Sequence, residues 1–191
     1  SLHDALPIFG GPGYGFEHIS VPLIIVGIYG LYIMLATALM SITTISRHTR
    51  IEEQTGRAEL IRANVVGRHA QLTATLIVVA AMNILTSFAV AGAFYFSEAR
   101  PDSLGPVLLF STSVGAAGLV FGGVAAITAQ LSPYSRTGSG IAGIVLAIAF
   151  VIRGLGDMSA IQHGNLTWLS WLSPLGWSQQ TAPLVLNRWW P

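Results

Sequence analysis

The chain of 191 residues lacks lysine and cysteine altogether, and only 9% of its residues are charged. Without cysteine it has no disulfides and no thiolate chemistry. Without lysine it cannot form a Walker A loop, because the lysine of that loop reaches the β- and γ-phosphates of ATP. Its nine basic residues are all arginine and its formal net charge is +1, which is not the strongly basic balance of a nucleic-acid-binding protein. We therefore expect this chain to bind no nucleic acid and to hydrolyse no ATP itself.

Apolar sequence is what the chain has in abundance. Hydrophobic residues make up 52% of it and charged residues 9%, against roughly a quarter charged in an average soluble domain. A helix needs about 20 mostly apolar residues to cross the hydrocarbon core of a membrane. Segments 21–45, 71–97, 106–131 and 138–156 reach or approach that length. The sequence predicts an all-α membrane protein with four transmembrane helices, in which the second and third are joined at 98–105 and the third and fourth at 132–137.

A charged segment, residues 46–70, separates the first two predicted spans. Between Arg47 and Arg68 it holds five of the nine arginines and three of the eight acidic residues. Apolar residues recur in it every three or four positions, which predicts an amphipathic helix. Such a helix is either a docking element for a partner protein or a solvated linker whose charges pair with one another. The candidate docking residues are Arg50, Glu52, Glu53, Arg57, Glu59 and Arg62.

The distribution of arginine predicts the orientation of the chain. The positive-inside rule places segment 46–70 and the loop 132–137 in the cytosol and both ends of the chain outside a multi-pass plasma (inner) membrane protein. Residues 1–20 then form an extracellular lead, of which 1–8 are treated as a possible artefact. Segment 157–191 is interrupted by glycine and proline and contains all five tryptophans. We expect it to be a re-entrant or interfacial helical segment at the outer surface.

Within the predicted spans, small and polar residues mark candidate sites. Small residues at helical spacing allow close packing of helices, either within the chain or against a second copy. Those of the third span include Gly115, Gly118 and Gly122. Polar side chains deep in a membrane need partners and either line a substrate path or bond to neighbouring helices. The candidates for a translocation path are Tyr29, Tyr32, Asn83 and Thr86.

Two opposite charges lie near the end of the fourth span. Arg153 and Asp157 are four residues apart, a spacing that brings side chains together on one face of a helix. We expect an ion pair that belongs to an outer gate, in preference to a contact with substrate. The five histidines show no spacing typical of a metal site, so no metal is expected.

Three motifs carry a resemblance to a known family. They are the charged stretch from Arg47-His48-Thr49-Arg50 to Val66-Gly67-Arg68, the stretch Trp168-Leu169-Ser170-Trp171-Leu172-Ser173-Pro174-Leu175-Gly176-Trp177, and the closing Arg188-Trp189-Trp190-Pro191. Together they resemble the ABC-2 type permeases of bacterial ATP-binding-cassette exporters, in particular the branch that exports polyketide antibiotics of the tetronasin type. The resemblance runs from about Gly10 to the end of the chain.

The resemblance implies a role for each segment. Each half of such a permease has six spans, and the loop between its second and third spans is a coupling helix seated on the ATPase subunit. By this resemblance the charged segment is that coupling helix, the four spans are the second to fifth, and the tryptophan-rich segment is a re-entrant hairpin. The implied partners are a separate ABC ATPase, which holds ATP and magnesium, the rest of the permease or a second copy, and membrane lipid. The implied function is export of an amphipathic antibiotic-like compound by a subunit that is not an enzyme and binds no cofactor itself.

Two other functions fit a chain with this pattern. One is a membrane scaffold or sensor that transports nothing. The other is an intramembrane serine protease, but the sequence around Ser139 lacks the first glycine of a Gly-x-Ser-Gly turn, and His163 lies beyond the fourth span, so no Ser/His pair is evident.

Overall fold

A computed structural model describes residues 21–48, 70–98, 100–132 and 135–189, and all structural statements below concern these ranges. The greater part of the charged segment falls between them. The six candidate docking residues, Arg50, Glu52, Glu53, Arg57, Glu59 and Arg62, therefore lie outside the described residues, and the prediction for them stays a prediction.

Four long helices account for most of the described chain. Helix α1 is Val21–Ser46, with a π-helical turn at Ile25–Tyr29; the others are α2, Ala70–Tyr95, α3, Leu104–Leu131, and α4, Ser135–Ile161. A 3-10 helix at Thr167–Leu172 and the short α5, Pro174–Gln180, follow. All four long helices are long and apolar enough to cross a membrane, and no strand occurs within the described ranges. The prediction of an all-α protein with four membrane-spanning helices is confirmed.

The fourth helix is longer than the sequence pattern suggested. It begins at Ser135 and continues through Arg153 and Asp157 to Ile161, whereas the sequence predicted a span of 138–156. The charges do not end the helix because they are neutralised within it, as described below. The chain leaves the helix at His163, where a positive φ of 53° reverses its direction. Similarly, α3 starts at Leu104, inside the segment 98–105 that was expected to be a loop.

Helix α3 is the centre of the bundle. It packs along α1, α2 and α4, and 61% of its most apolar stretch is buried, against 11% for α2. Gly30 of α1 lies beside Phe110, and the edge of the Phe110 ring meets Phe94 of α2 with centroids 5.9 Å apart. The faces of α2 and α4 that point away from α3 expose large apolar side chains, as expected of helices that contact lipid or further transmembrane segments.

The bundle has two distinguishable ends. At one end, which we call the loop end, Gln71 Nε2 donates a hydrogen bond of 2.9 Å to the carbonyl of His48. The charged segment therefore leaves and re-enters the bundle at the same place. Residues 162–189, which we call the tail, lie at the opposite end, the tail end, where α4 finishes.

The tail folds back into the bundle. Ser178 Oγ donates a hydrogen bond of 3.3 Å to the carbonyl of Ser113. Ser113 is nine residues inside α3, which is about 13 Å along the helix axis. Leu175 of α5 is fully buried in the apolar core. The tail therefore packs against the bundle through α5, and its place as a re-entrant or interfacial segment of a membrane stays a prediction.

Candidate functional site

A buried polar group joins the tail to α4. It consists of Arg153 and Asp157 on α4, Ser170 in the 3-10 helix and Gln179 on α5, and we call these four residues the tail cluster. Arg153 and Ser170 are 0% exposed and Asp157 is 1% exposed. Arg153 lies eight residues before the end of α4, about 12 Å from the helix terminus. Two full charges are thus held well inside an apolar span.

The two charged side chains of the tail cluster contact each other, and each also has a hydrogen bond to the tail. Arg153 Nη1 lies 3.1 Å from Asp157 Oδ2, so the contact expected from their spacing forms. Ser170 Oγ donates a hydrogen bond of 2.7 Å to Asp157 Oδ1, and Arg153 Nη1 donates to Gln179 Oε1. The guanidinium carbon also lies 5.3 Å from the centre of the Phe150 ring, within cation–π range. Each charged group therefore lies in ion-pair contact with its partner on α4 and has a hydrogen bond to a residue of the tail.

Two glycines allow Ser170 to approach α4 so closely. A Cβ atom added to Gly156 of α4 would overlap the Ser170 hydroxyl and backbone nitrogen, and one added to Gly176 of α5 would overlap the Ser170 carbonyl. Ser170 is thereby held between two backbones that carry no side chain at the contact. The backbone of the tail and the backbone of α4 meet directly at this point.

Electrostatics explains why the two charges of the tail cluster are paired with each other and hydrogen-bonded to the tail. An unpaired charge in the apolar interior is strongly unfavourable, and removing one partner of a buried ion pair typically costs about 3–5 kcal/mol. The Arg153–Asp157 contact avoids that state within α4 itself, and the docked tail adds a hydrogen bond to each of the two charged groups. The cluster can thus fix the position of the tail, whereas its role in an outer gate stays a prediction.

A second buried polar group lies in the middle of the bundle. Asn83 of α2 is fully buried; its Nδ2 donates to Ser41 Oγ of α1 at 2.9 Å and to the Val79 carbonyl at 2.8 Å. Ser87 Oγ donates to the Asn83 carbonyl at 3.0 Å. The Asn83 amide oxygen faces Gly118 and has no hydrogen-bond partner among the described residues. We call Ser41, Asn83, Ser87 and Gly118 the mid-bundle seam.

The predicted glycine stripe lies along this seam. Gly115 faces Ser87, Gly118 faces Asn83 and Thr37, and Gly122 faces Val79 and Ser41. All three glycines of the stripe therefore pack against helices of this chain. The order of the contacts also shows that α1 runs parallel to α3 and that α2 runs antiparallel to it.

The four predicted path residues are not brought together. Tyr29 and Tyr32 are 58% and 48% exposed on α1, and Tyr32 is close enough to Arg153 for an electrostatic interaction. Asn83 instead contacts Ser41, which is nine residues, or about 13 Å along α1, from Tyr32. Thr86 bonds within its own helix, to the Met82 carbonyl at 2.8 Å. The four residues thus lie at separate places in the bundle, and whether they line a translocation path stays a prediction.

Sequence reasoning missed Ser170 and Gln179. Both lie in the tail, where glycine and proline break any helical period. The only local signal was that Gly156 and Gly176, which make room for Ser170, occur in otherwise bulky apolar sequence. As for metal, no group of three or more His, Asp or Glu side chains is close enough to hold an ion in the part of the chain that the structure describes.

Four apolar helices in one bundle define a multi-pass membrane protein. The chain belongs to the family described as multidrug efflux system permease Rv1217c, C-terminal domain, which matches residues 19–190. It is similar to the multidrug efflux system permease protein Rv1217c of Mycobacterium tuberculosis, with 42% identity over 153 residues, which is 80% of this chain and 26% of that relative. The chain thus spans about a quarter of the length of that relative. No solved structure matches the chain significantly.

These comparisons decide one part of the sequence prediction. The assignment to a family of efflux-system permeases is confirmed, whereas coupling to an ATP-binding-cassette ATPase stays a prediction. The narrower assignment to the antibiotic-exporting branch stays a prediction.

Proposed function

We propose that this chain is the membrane-spanning part of a permease subunit of an ATP-driven exporter, and that it moves an amphipathic antibiotic-like compound out of the cell. The observation that carries the proposal is a four-helix membrane bundle that belongs to an efflux-permease family. ATP and magnesium are held by a separate ATPase, since this chain has no lysine for a Walker A loop.

The position of the charged segment supports coupling to such an ATPase. The His48–Gln71 hydrogen bond fixes both of its ends at the loop end of the bundle. A partner bound there would act directly on the ends of α1 and α2. In this proposal the loop end is cytosolic, the tail end is outside, and Arg50, Glu52, Glu53, Arg57, Glu59 and Arg62 contact the ATPase.

The interior of the bundle supports an amphipathic cargo. The buried charges that the structure describes, Arg153 and Asp157, bond to each other and to the tail, which leaves neither as an obvious binding group for an ion. Apolar helix faces with scattered tyrosines suit a compound with a large apolar surface. A polyketide antibiotic of the tetronasin type has this character, and we propose it as the cargo class.

The test is an efflux assay on the complete gene product, co-expressed with its ATPase in a host that lacks its own drug pumps. We expect ATP-dependent efflux of a polyketide ionophore. We also expect the double variant Glu53→Ala/Arg57→Ala to weaken co-purification of the ATPase and lower efflux by about tenfold, as for loss of interface hot spots. The control is Arg100→Ala, whose side chain stacks 5.0 Å from the Tyr95 ring at the tail end.

Two results would contradict the proposal. Efflux that persists when the Walker A lysine of the ATPase is replaced would exclude ATP as the energy source. Equal ATPase co-purification with the double variant and with Arg100→Ala would exclude the charged segment as the docking element.

A further inference from the structure

We propose that the tail and the third of α4 nearest to it, residues 153–161, move as one rigid unit during transport. The contact that opens and closes is then the one between α5 and α3. This inference rests on the proposed transport function. It differs from the simplest role of an outer-gate ion pair, in which Arg153 and Asp157 separate during each cycle.

The contact between the tail and α4 is charged and buried. Undocking the tail from α4 would remove the Ser170 bond from Asp157 and the Gln179 bond from Arg153. Each charged group would then lose a hydrogen bond in an apolar span, where water cannot replace it. Opening this contact is therefore less favourable than opening one between neutral groups.

The backbone contacts of Ser170 strengthen the same connection. Gly156 on α4 and Gly176 on α5 both meet Ser170 at distances that exclude even a methyl group. Close packing of this kind changes between discrete arrangements and does not slide continuously. The 3-10 helix, α5 and the end of α4 are therefore interlocked.

The contact between the tail and α3 is neutral and weaker. It includes the 3.3 Å hydrogen bond from Ser178 Oγ to the Ser113 carbonyl, which joins two neutral groups. Ser178 Oγ also lies 3.5 Å from the Pro174 carbonyl of its own helix, so the hydroxyl keeps an acceptor when the link to α3 opens. The remaining contact is apolar packing around Leu175, which leaves no unpaired charge on separation. Movement at this contact is much less costly than movement at the tail cluster.

The first experiment links the tail to each of its neighbours in turn. These 191 residues contain no cysteine. After any cysteine elsewhere in the complete gene product and its ATPase has been replaced, pairs are introduced and joined by a short bifunctional thiol reagent. Ser113→Cys with Ser178→Cys joins the tail to α3. Ser159→Cys with Leu166→Cys joins the tail to α4, where Ser159 Oγ accepts a bond of 2.9 Å from the Leu166 nitrogen.

The two links have opposite expected effects. Joining the tail to α3 should lower ATP-driven efflux by about tenfold or more, as blocking a gating motion does, and joining it to α4 should leave efflux within about twofold of the unlinked protein. Loss of efflux with the α4 link, or normal efflux with the α3 link, would overturn the proposal. The same variants without reagent control for the substitutions.

The second experiment needs no transport. It compares labelling by a membrane-impermeant thiol reagent of Leu175→Cys, at the contact with α3, and of Ser170→Cys, at the contact with α4; both positions are 0% exposed. Leu172→Cys is the control, since Leu172 is 58% exposed. We expect Leu175→Cys to label at least about tenfold faster than Ser170→Cys, because local opening should follow the weaker contact.

Equal labelling rates for Leu175→Cys and Ser170→Cys, or faster labelling of Ser170→Cys, would contradict the proposal that the tail and α4 form one rigid unit. If the wild-type complex moves no compound at all, the proposed function fails, while the labelling rates still decide whether the tail and α4 form one unit.

Discussion

The tail cluster and the mid-bundle seam are both buried and polar, but they solve different problems. The tail cluster uses two full charges to hold a segment close by in the chain, with Ser170 only 13 residues from Asp157. The mid-bundle seam uses neutral groups to join helices far apart in the chain, with Asn83 42 residues from Ser41. Charged side chains thus hold the short, irregular tail, whereas neutral polar side chains lie where long helices pack on each other.

The difference follows from what each segment contributes on its own. Long helices satisfy their own backbone groups and bury a continuous apolar and glycine-lined face, so one amide bond adds little to their association. The tail has about two turns of 3-10 helix and a short α5, which cannot bury much apolar surface. The hydrogen bonds that its side chains make to the two charged groups of α4 supply the missing specificity. The comparison predicts large effects of substitutions in the tail cluster and small ones in the mid-bundle seam.

Asp157→Leu should have the largest effect. It leaves the Arg153 guanidinium buried without its carboxylate and removes the acceptor of Ser170. We expect a loss of about 3–5 kcal/mol in the free energy of unfolding. The measurement is unfolding by SDS titration in mixed micelles.

The double variant Arg153→Leu/Asp157→Leu is the control for this prediction. Replacing both charges of a buried pair by apolar residues is often close to neutral. The double variant should therefore recover much of the stability that Asp157→Leu loses. If it is as unstable as the single variant, charge balance is not the cause.

The sequence predicted the parts of this comparison that depend on local pattern. Uncharged runs located the four spans, and helical spacing paired Arg153 with Asp157 and aligned Gly115, Gly118 and Gly122. It did not predict Ser170 or Gln179, because their partners lie across a turn that reverses at His163 and follows no helical period. It also did not predict that Asn83 bonds to Ser41 of α1, because that pairing depends on the offset between α1 and α2, which no local pattern encodes.

Ser170→Ala should have the second largest effect. It removes one hydrogen bond to a buried carboxylate, and bonds to charged groups contribute about 1.5–3 kcal/mol. The Arg153–Asp157 contact remains, so the loss should be smaller than for Asp157→Leu. Ser103→Ala is the matched control, because Ser103 is exposed and its side chain makes no cap bond to α3. Equal unfolding midpoints for the two variants would show that the Ser170 bond does not hold the tail.

Gly118→Ala tests the packing part of the mid-bundle seam. The added methyl group would overlap Asn83 and come within 2.6 Å of Thr37 Cγ2, and overpacking typically costs about 1–3 kcal/mol. Gly123→Ala in the same helix meets nothing within 4 Å. It should stabilise the helix by about 0.5–1 kcal/mol through backbone entropy. Two alanines with the same effect in SDS titration would contradict close approach of α2 to Gly118.

Ser41→Ala should have the smallest effect, although it removes a buried hydrogen bond between helices. Asn83 Nδ2 keeps its bond to the Val79 carbonyl when the Ser41 hydroxyl is lost. Neutral bonds between membrane helices average about 0.6 kcal/mol, because the separated helices also find partners. Ser41→Ala and Ser170→Ala both remove one hydroxyl group, which accepts a hydrogen bond from the neutral Asn83 amide at Ser41 and donates one to the Asp157 carboxylate at Ser170. The ratio of their effects therefore compares a neutral partner with a charged one. A Ser41→Ala loss as large as that of Ser170→Ala would mean that the seam, and not only the tail cluster, is held by polarity, and that the glycine stripe contributes less to the packing of α1, α2 and α3 than its contacts indicate.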